Sequence, residues 1–408
     1  MPKIFVISIG NEILLGKTVN TNLADIGDTL FKNGYEISAS TTIQDNPETI
    51  KNTLKRAWSE YDIIISTGGL GPTKDDRTRD SIASVFGKSL KLNKEFWHKL
   101  KEQRQQNFQK PLAAQKSLAK VPEDFVQLKN KVGTAPGLQY SANGKHFFAM
   151  PGVPAEMKFI LEDSVIPFLK KNVPGKQRFV KTIRTACMRE IDLHEELSNI
   201  EDTEESKIAF LPKPGLVDIR IVSSNKEELK NLINRIQEKV GQYIYGYDDE
   251  NLQHICHKKL IENKKTLSVA ESCTGGLIQN WFTDNPGSSN YFLGGVVSYS
   301  NFAKKKFLDV KQKTLDKHGA VSHETVKEML QGVKDKFDAD LSLAVSGIAG
   351  PAGGTKEKPV GLVYVGVLVN DKVDIKKCNF NGNRLQIKQQ SAITALYMLH
   401  KNLENLHK

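Results

Sequence analysis

Ser272, Tyr299 and Lys304, with Arg384 far downstream, are a nucleophile, a candidate base with its neighbour, and an anion clamp. Ser272 lies in Ala270-Glu271-Ser272-Cys273-Thr274-Gly275-Gly276, after a short β-branched apolar run from Thr266 to Ala270. From Gly275 to Phe282 the pattern resumes at helical spacing, which predicts a strand-to-helix turn at the serine. Such a turn lifts the hydroxyl off the sheet edge, and the glycines would let backbone N–H groups of the coming helix approach a developing oxyanion. No histidine accompanies the serine, so the base falls to Lys304 in Val297-Ser298-Tyr299-Ser300-Asn301-Phe302-Ala303-Lys304. A lysine stripped of water gives up its proton readily enough to activate a serine. The blander alternatives are an N-cap turn at Ser272 and a solvated face for Lys304-Lys305-Lys306. A second glycine loop weighs against them: Ser346-Gly347-Ile348-Ala349-Gly350-Pro351-Ala352-Gly353-Gly354-Thr355 follows the strand-like Leu341 to Val345 and leads to Lys358-Pro359-Val360-Gly361. A simple turn needs fewer glycines. Cys273 is a rival nucleophile beside Ser272.

A different chemistry is suggested near the start of the chain. Gly10-Asn11-Glu12-Ile13-Leu14-Leu15-Gly16-Lys17-Thr18 is not a P-loop, because one residue too many separates its glycines and two leucines cannot line a phosphate cradle. No REXXEE helix is present either. Thr67-Gly68-Gly69-Leu70-Gly71-Pro72-Thr73 runs instead into Lys74-Asp75-Asp76-Arg77-Thr78. Adjacent carboxylates after a glycine turn can hold hydrated Mg²⁺ while loop N–H groups and threonine hydroxyls take phosphate oxygens. An acidic helix start favoured by the helix dipole is the alternative. Gly133-Thr134-Ala135-Pro136-Gly137 and Met150-Pro151-Gly152-Val153-Pro154-Ala155-Glu156-Met157 read as two more rigid turns.

These loops need elements to hold them, and 408 residues exceed one core, which suggests two to four domains. Charged residues at 26% and hydrophobic ones at 39% describe an ordinary globular protein. The apolar run Ile4 to Ile9 is too short for a signal peptide, and no run approaches the roughly 18 apolar residues of a membrane span, so a cytoplasmic protein without membrane partners is expected. Cys187, Cys256, Cys273 and Cys378 are dispersed, which fits a reducing compartment and argues against structural zinc. The net charge of +11 is spread over amphipathic segments such as Lys226 to Lys239, without aromatic interleaving, and argues for small anionic substrates rather than nucleic acid.

Strands at Lys3 to Ile9, Glu36 to Thr42 and Asp62 to Ser66 alternate with helices at Asn20 to Phe31 and Pro47 to Trp58. That alternation predicts an α/β three-layer domain over 1–170 with a mostly parallel sheet, whose ligands bind at the carboxyl ends of the strands. Phe179 to Thr185, Ile191 to Ser198, Lys207 to Phe210, Val217 to Val222, Lys226 to Val240 and Tyr243 to Tyr245 read as β-α-β-β-α-β, a small split α+β module over 171–247. Asp248-Asp249-Glu250-Asn251 opens a third, α/β domain over 248–408.

AESCTGG, VSYSNFAK, SGIAGPAGG, KPVG and the GNR around Arg384 resemble the C-terminal domain of the competence/damage-inducible protein A (CinA) family. That domain is similar to nicotinamide mononucleotide deamidases. The resemblance implies cofactor-free hydrolysis of the nucleotide's carboxamide to ammonia and nicotinate mononucleotide. It makes Ser272 the nucleophile, Lys304 the base, and Tyr299 and Arg384 their supports, with substrate contacts from Thr274, Gly275, Gly276, Gly350, Gly353 and Gly354. Family members often read GDR where this chain has Gly382-Asn383-Arg384. GNE, TGGLGPTKDD, GTAPG and PGVPAEMK resemble the family's N-terminal domain, which is similar to molybdopterin-binding domains. This second resemblance implies Mg²⁺- or Co²⁺-dependent cleavage of ADP-ribose, with Gly68, Gly69, Gly71 and Thr73 on phosphate and Asp75, Asp76 and Glu12 on metal. The middle module resembles the family's KH-like domain but lacks a GXXG loop, and it has Ala186-Cys187-Met188-Arg189-Glu190 where a GxGE segment is usual. Family likeness also implies a homodimer. The competing expectation is a non-catalytic nucleotide- or molybdopterin-binding protein linked to competence or DNA damage.

Overall fold

Successive residues of a strand point to opposite faces, so the unbroken apolar run Ile4–Ile9 calls for cover on both sides. The computed structural model, which describes residues 1–73, 76–106, 113–200, 202–370 and 372–407, provides it. Ile4 and Val6 enter one core with Ile26, Leu30, Phe148 and Leu161, while Phe5, Ile7 and Ile9 enter another with Ile50, Leu54, Ile64 and Phe147. The sheet has six strands, with Ile37–Ile43, Ile4–Ile9, Ile63–Thr67 and Lys145–Met150 parallel and Gly137–Ala142 and Val126–Leu128 continuing antiparallel. Helix Thr21–Lys32 starts where the Asn20 side chain accepts from the Leu23 N–H, and Pro47–Glu60 starts where Asn46 accepts from Glu48 and Thr49. This unit runs from Met1 to Arg178.

The second unit, Phe179–Lys408, contains two sheets. Strands Ser206–Lys213, Leu216–Ser223, Phe179–Ala186 and Ile244–Tyr247 pair antiparallel in that order. Helices Glu190–Glu196 and Lys226–Val240 join their core through Leu193, Leu232 and Ile236. All six elements follow the β-α-β-β-α-β order expected.

The last sheet orders Phe292–Val297, Leu267–Glu271 and Leu341–Gly347 in parallel, then Leu362–Val369 and Lys372–Asn379 antiparallel. Here too alternation needs two covers. Val269, Leu343 and Val365 pack with helices Leu252–Glu262, Leu277–Thr283 and Arg384–Glu404, and Ala270, Ala344 and Leu368 pack with Asn301–Leu308 and His323–Phe337. Among the described residues no helix is long and apolar enough to cross a membrane.

Candidate active site

The strand Leu267–Glu271, second in its sheet, ends in the turn that carries Ser272, whose N–H donates to the Val345 carbonyl of the neighbouring strand at 2.9 Å. Gly275 and Gly276 then take φ of 66° and 97°, left-handed values that suit glycine, before helix Leu277–Thr283 begins. From the adjacent strand Phe292–Val297 the chain passes through Ser298, whose N–H donates to the Glu271 carbonyl at 2.7 Å. Ser300 caps helix Asn301–Leu308 by accepting from the Ala303 N–H, and one turn later Lys304 points inward.

Lys304 is 1% exposed, whereas Lys305 and Lys306 lie at the surface, so the lysine run divides between core and solvent. Its Nζ donates to the Ser298 carbonyl at 2.6 Å and to the Ser272 Oγ at 2.9 Å. Burial disfavours its charged form and lowers the ammonium to about 8. Burial acts oppositely on the neighbouring Cys273 thiol, raising it to about 12, so the rival nucleophile stays protonated at neutral pH.

The helix start differs from the expected oxyanion cradle. The fully buried Glu271 carboxylate accepts from the Gly276 N–H at 2.9 Å and from Ile278 at 3.3 Å through one oxygen, and from Gln279 at 2.9 Å through the other. The Gly275 N–H is also engaged, with the Ser272 carbonyl at 3.2 Å. The N–H groups expected to face substrate from Gly275 and Gly276 therefore hold the turn together, because a buried carboxylate and free helix-start donors satisfy each other. Thr274 is fully buried with a hydroxyl that has no protein partner.

Arg384 and Tyr299 come together at the surface. One terminal nitrogen of the guanidinium donates to the Tyr299 hydroxyl at 2.8 Å and the other to the Gly350 carbonyl at 2.7 Å, joining the loop before Lys304 to the second glycine loop. Gly353 and Gly354 sit apart from these bonds in the exposed stretch 351–357. Lys358 of KPVG donates to the His318 and Val321 carbonyls, which gives that motif a structural role. Sequence reasoning missed two residues. Glu271 enters the sequence reading only as part of a motif, and no motif marks the half-buried Lys388, whose Nζ lies 3.6 Å from where a Cβ on Gly275 would stand.

In the first unit, Gly10, Glu12, Asp45, Gly68, Gly69, Asp76 and Gly152 share the lining of a cavity of about 750 Å³ at the carboxyl ends of the parallel strands. A Cβ on Gly68 would stand 2.1 Å from the Ile9 carbonyl oxygen, so only glycine allows the two loops to close up. Beneath Gly69 the fully buried Thr78 hydroxyl lacks a protein partner. Thr73 does not point at the cavity as a phosphate donor: its N–H and hydroxyl both donate to the Asp76 carboxylate, at 2.8 and 2.6 Å, alongside Gly71. Asp75 lies outside the described residues. Among those described, no three His, Cys, Asp or Glu side chains form a metal-holding group. Buried Asn22 ties the floor together, donating to Thr67 Oγ1 at 2.9 Å and to the Gly152 carbonyl at 2.8 Å.

Residues 249–403 match the family described as "CinA C-terminal domain", 180–246 the "Damage-inducible protein CinA KH domain", and 5–171 the "Probable molybdopterin binding domain". A relative in Caldicellulosiruptor saccharolyticus named "Putative competence-damage inducible protein" is 38% identical, covering 98% of this chain and 99% of its own. This chain belongs to the CinA family. A second CinA relative, in Caldanaerobacter subterraneus subsp. tengcongensis, is 40% identical over 411 residues, covering 98% of both chains. The crystal structure of a competence/damage inducible protein from Agrobacterium tumefaciens is 36% identical, covers 38% of this chain and 95% of its own, and has a TM-score of 0.36.

Asn383 and Cys187, the two positions read as departures from the family motifs, each make a local contact to helix Arg384–Glu404. Asn383 caps helix Arg384–Glu404 in a complete capping box with Gln386, a task in which Asn and Asp are near equals. Cys187 takes φ of 62° in the turn between strand Phe179–Ala186 and helix Glu190–Glu196, and its thiol packs at 3.7 Å from the Thr394 hydroxyl of helix Arg384–Glu404. The turn is thereby a seam between the KH-like and C-terminal parts.

Proposed function

We propose that this CinA protein hydrolyses the carboxamide of nicotinamide mononucleotide at Ser272. The observation that carries the reading is the buried Lys304 ammonium 2.9 Å from the Ser272 hydroxyl, with a proton held only to about pH 8. In its neutral form Lys304 accepts the hydroxyl proton as Oγ attacks the carboxamide carbon. The tetrahedral intermediate collapses as Lys304 returns that proton to the departing nitrogen, which leaves as ammonia. Water then attacks the acyl-serine ester as Lys304 takes the water's proton, and Lys304 passes that proton to the departing Ser272 Oγ, which restores the serine and releases the acid that ionises to nicotinate mononucleotide. The Ser298 carbonyl fixes the lysine's direction, and Arg384 steadies Tyr299, the next residue along the chain from Ser298. The nucleotide itself is supplied by the family resemblance.

For the first unit we propose metal-dependent hydrolysis of ADP-ribose to AMP and ribose 5-phosphate. Glu12, Asp45 and Asp76 line one cavity without closing into a three-carboxylate cluster, and a divalent cation such as Mg²⁺ commonly takes one or two carboxylates, keeps waters and shares its remaining positions with substrate phosphates. A cation there would offset charge on the cleaving pyrophosphate. Incubating purified protein with each nucleotide separates these readings from a binding-only protein. Equal ammonia and nicotinate mononucleotide are expected from the first substrate, and AMP from the second only with metal. Binding of both without products would overturn the enzymatic reading.

A further inference from the structure

Arg384 and Lys388 are four residues apart on helix Arg384–Glu404, so the two cations share a face. Their commitments differ. The Arg384 guanidinium is tied to Gly350 and Tyr299 through both terminal nitrogens. Lys388 is half-buried, and among the described residues no carboxylate is paired with it. Its ammonium stands against Gly275, 3.6 Å from a Cβ that the glycine lacks, and the Gly275 N–H is bonded to the Ser272 carbonyl. The lysine charge thus borders the nucleophile turn directly, and it is also felt at Cys273, where it opposes the effect of burial. A cation held partly out of water without a counter-ion is expected to recruit an anion. The turn offers none, since the Glu271 carboxylate is occupied by Gly276, Ile278 and Gln279.

We propose that Lys388 binds the phosphate of a phosphorylated carboxamide substrate and makes the Ser272 site prefer a nucleotide to its phosphate-free nucleoside. The inference rests on the amidase reading for its substrate class, and it transfers the anion-clamp role expected of Arg384 to a residue one turn further along. Arg384 becomes a positioning residue that braces Tyr299 and Gly350. A lysine ammonium suits this task as a point charge that follows a phosphate through small movements, whereas the guanidinium fork is already fixed by two protein acceptors.

Binding without turnover isolates the effect. Ser272→Ala and the double variant Ser272→Ala/Lys388→Gln are titrated calorimetrically with nicotinamide mononucleotide and with nicotinamide riboside. The ratio of the two dissociation constants should change about 10- to 100-fold in the double variant, the worth of one charge-assisted hydrogen bond, and Lys388→Arg should restore most of it. An unchanged ratio, equal weakening of both ligands, or failure of the nucleotide to bind Ser272→Ala at all would overturn the proposal. Failure of the amidase reading looks different: a wild-type protein that binds the nucleotide with the expected preference yet releases no ammonia.

Discussion

The two candidate sites are finished to different degrees by the chain itself. At Ser272 the nucleophile, its base and the turn's donors are bonded to one another: Lys304 to Ser272 and Ser298, Glu271 to three helix-start N–H groups, Arg384 to Tyr299 and Gly350. At the Gly68 loop the carboxylates of Glu12, Asp45 and Asp76 line an open cavity of about 750 Å³, while a fully buried threonine hydroxyl without a protein partner occurs in both places, Thr78 here and Thr274 at the nucleophile turn. Covalent catalysis requires a base already aimed at its nucleophile, so its geometry is built into the protein. Phosphate and metal chemistry shares its bonds with the ligand, so part of the arrangement is left to be completed on binding.

The contrast is most exposed at Lys304. Lys304→Met should reduce ammonia release by about 10³-fold or more, the upper range for a general base. In the wild-type protein, kcat/KM should rise with pH and level off above about 8, as the ammonium loses its proton. The same substitution should stabilise the fold. The folded protein releases this proton near 8 and the unfolded chain only near 10.5, so the unfolded state binds more protons between those values and stability rises with pH across that window. Below about pH 8 the full cost of the buried ammonium, roughly 3 kcal/mol, is present, and methionine removes it. Thermal melts of both proteins at pH 7 check this. A destabilised, inactive Lys304→Met would mean that the lysine serves the fold.

At the open site the expected effect is smaller and depends on metal. Asp76→Asn should lower ADP-ribose cleavage on the order of 10²-fold, and EDTA should abolish it, because the cation carries several kcal/mol of the charge stabilisation. Ammonia release should be untouched by either treatment. Equal loss of both activities, or cleavage that survives EDTA, would erase the distinction between the sites. The smallest effect belongs to the C-terminal helix start, where Asn383→Ala should cost about 1 kcal/mol in chemical denaturation and Asn383→Asp nearly nothing. A large loss from the Asp variant would mean that the amide does more than cap.

What the sequence discloses depends on how local each feature is. The strand, turn and helix around Ser272 and the N-terminal βα alternation are written in hydrophobic spacing, and their observed bounds lie within a few residues of those expected. Lys304 could be singled out as a base because it falls in a motif, but its separation from Lys305 and Lys306 required the helix's orientation. Glu271 and Lys388 were not legible. The first bends forward over the turn to bonds with residues five to eight positions ahead, and the second reaches Gly275 from a helix more than a hundred residues away. Thr73 misled for a similar reason: a hydroxyl after a glycine turn suits phosphate, yet here Asp76 folds back three residues and takes it.

The central claim is that Ser272, activated by Lys304, forms the covalent intermediate. Rapid acid quench of wild-type protein with nicotinamide mononucleotide, followed by peptide mass spectrometry, tests it most directly. The account predicts a nicotinate mononucleotide acyl adduct on Ser272 that is absent from Ser272→Ala, which should also have lost ammonia release. An adduct on Cys273, or undiminished ammonia release from Ser272→Ala, would contradict it.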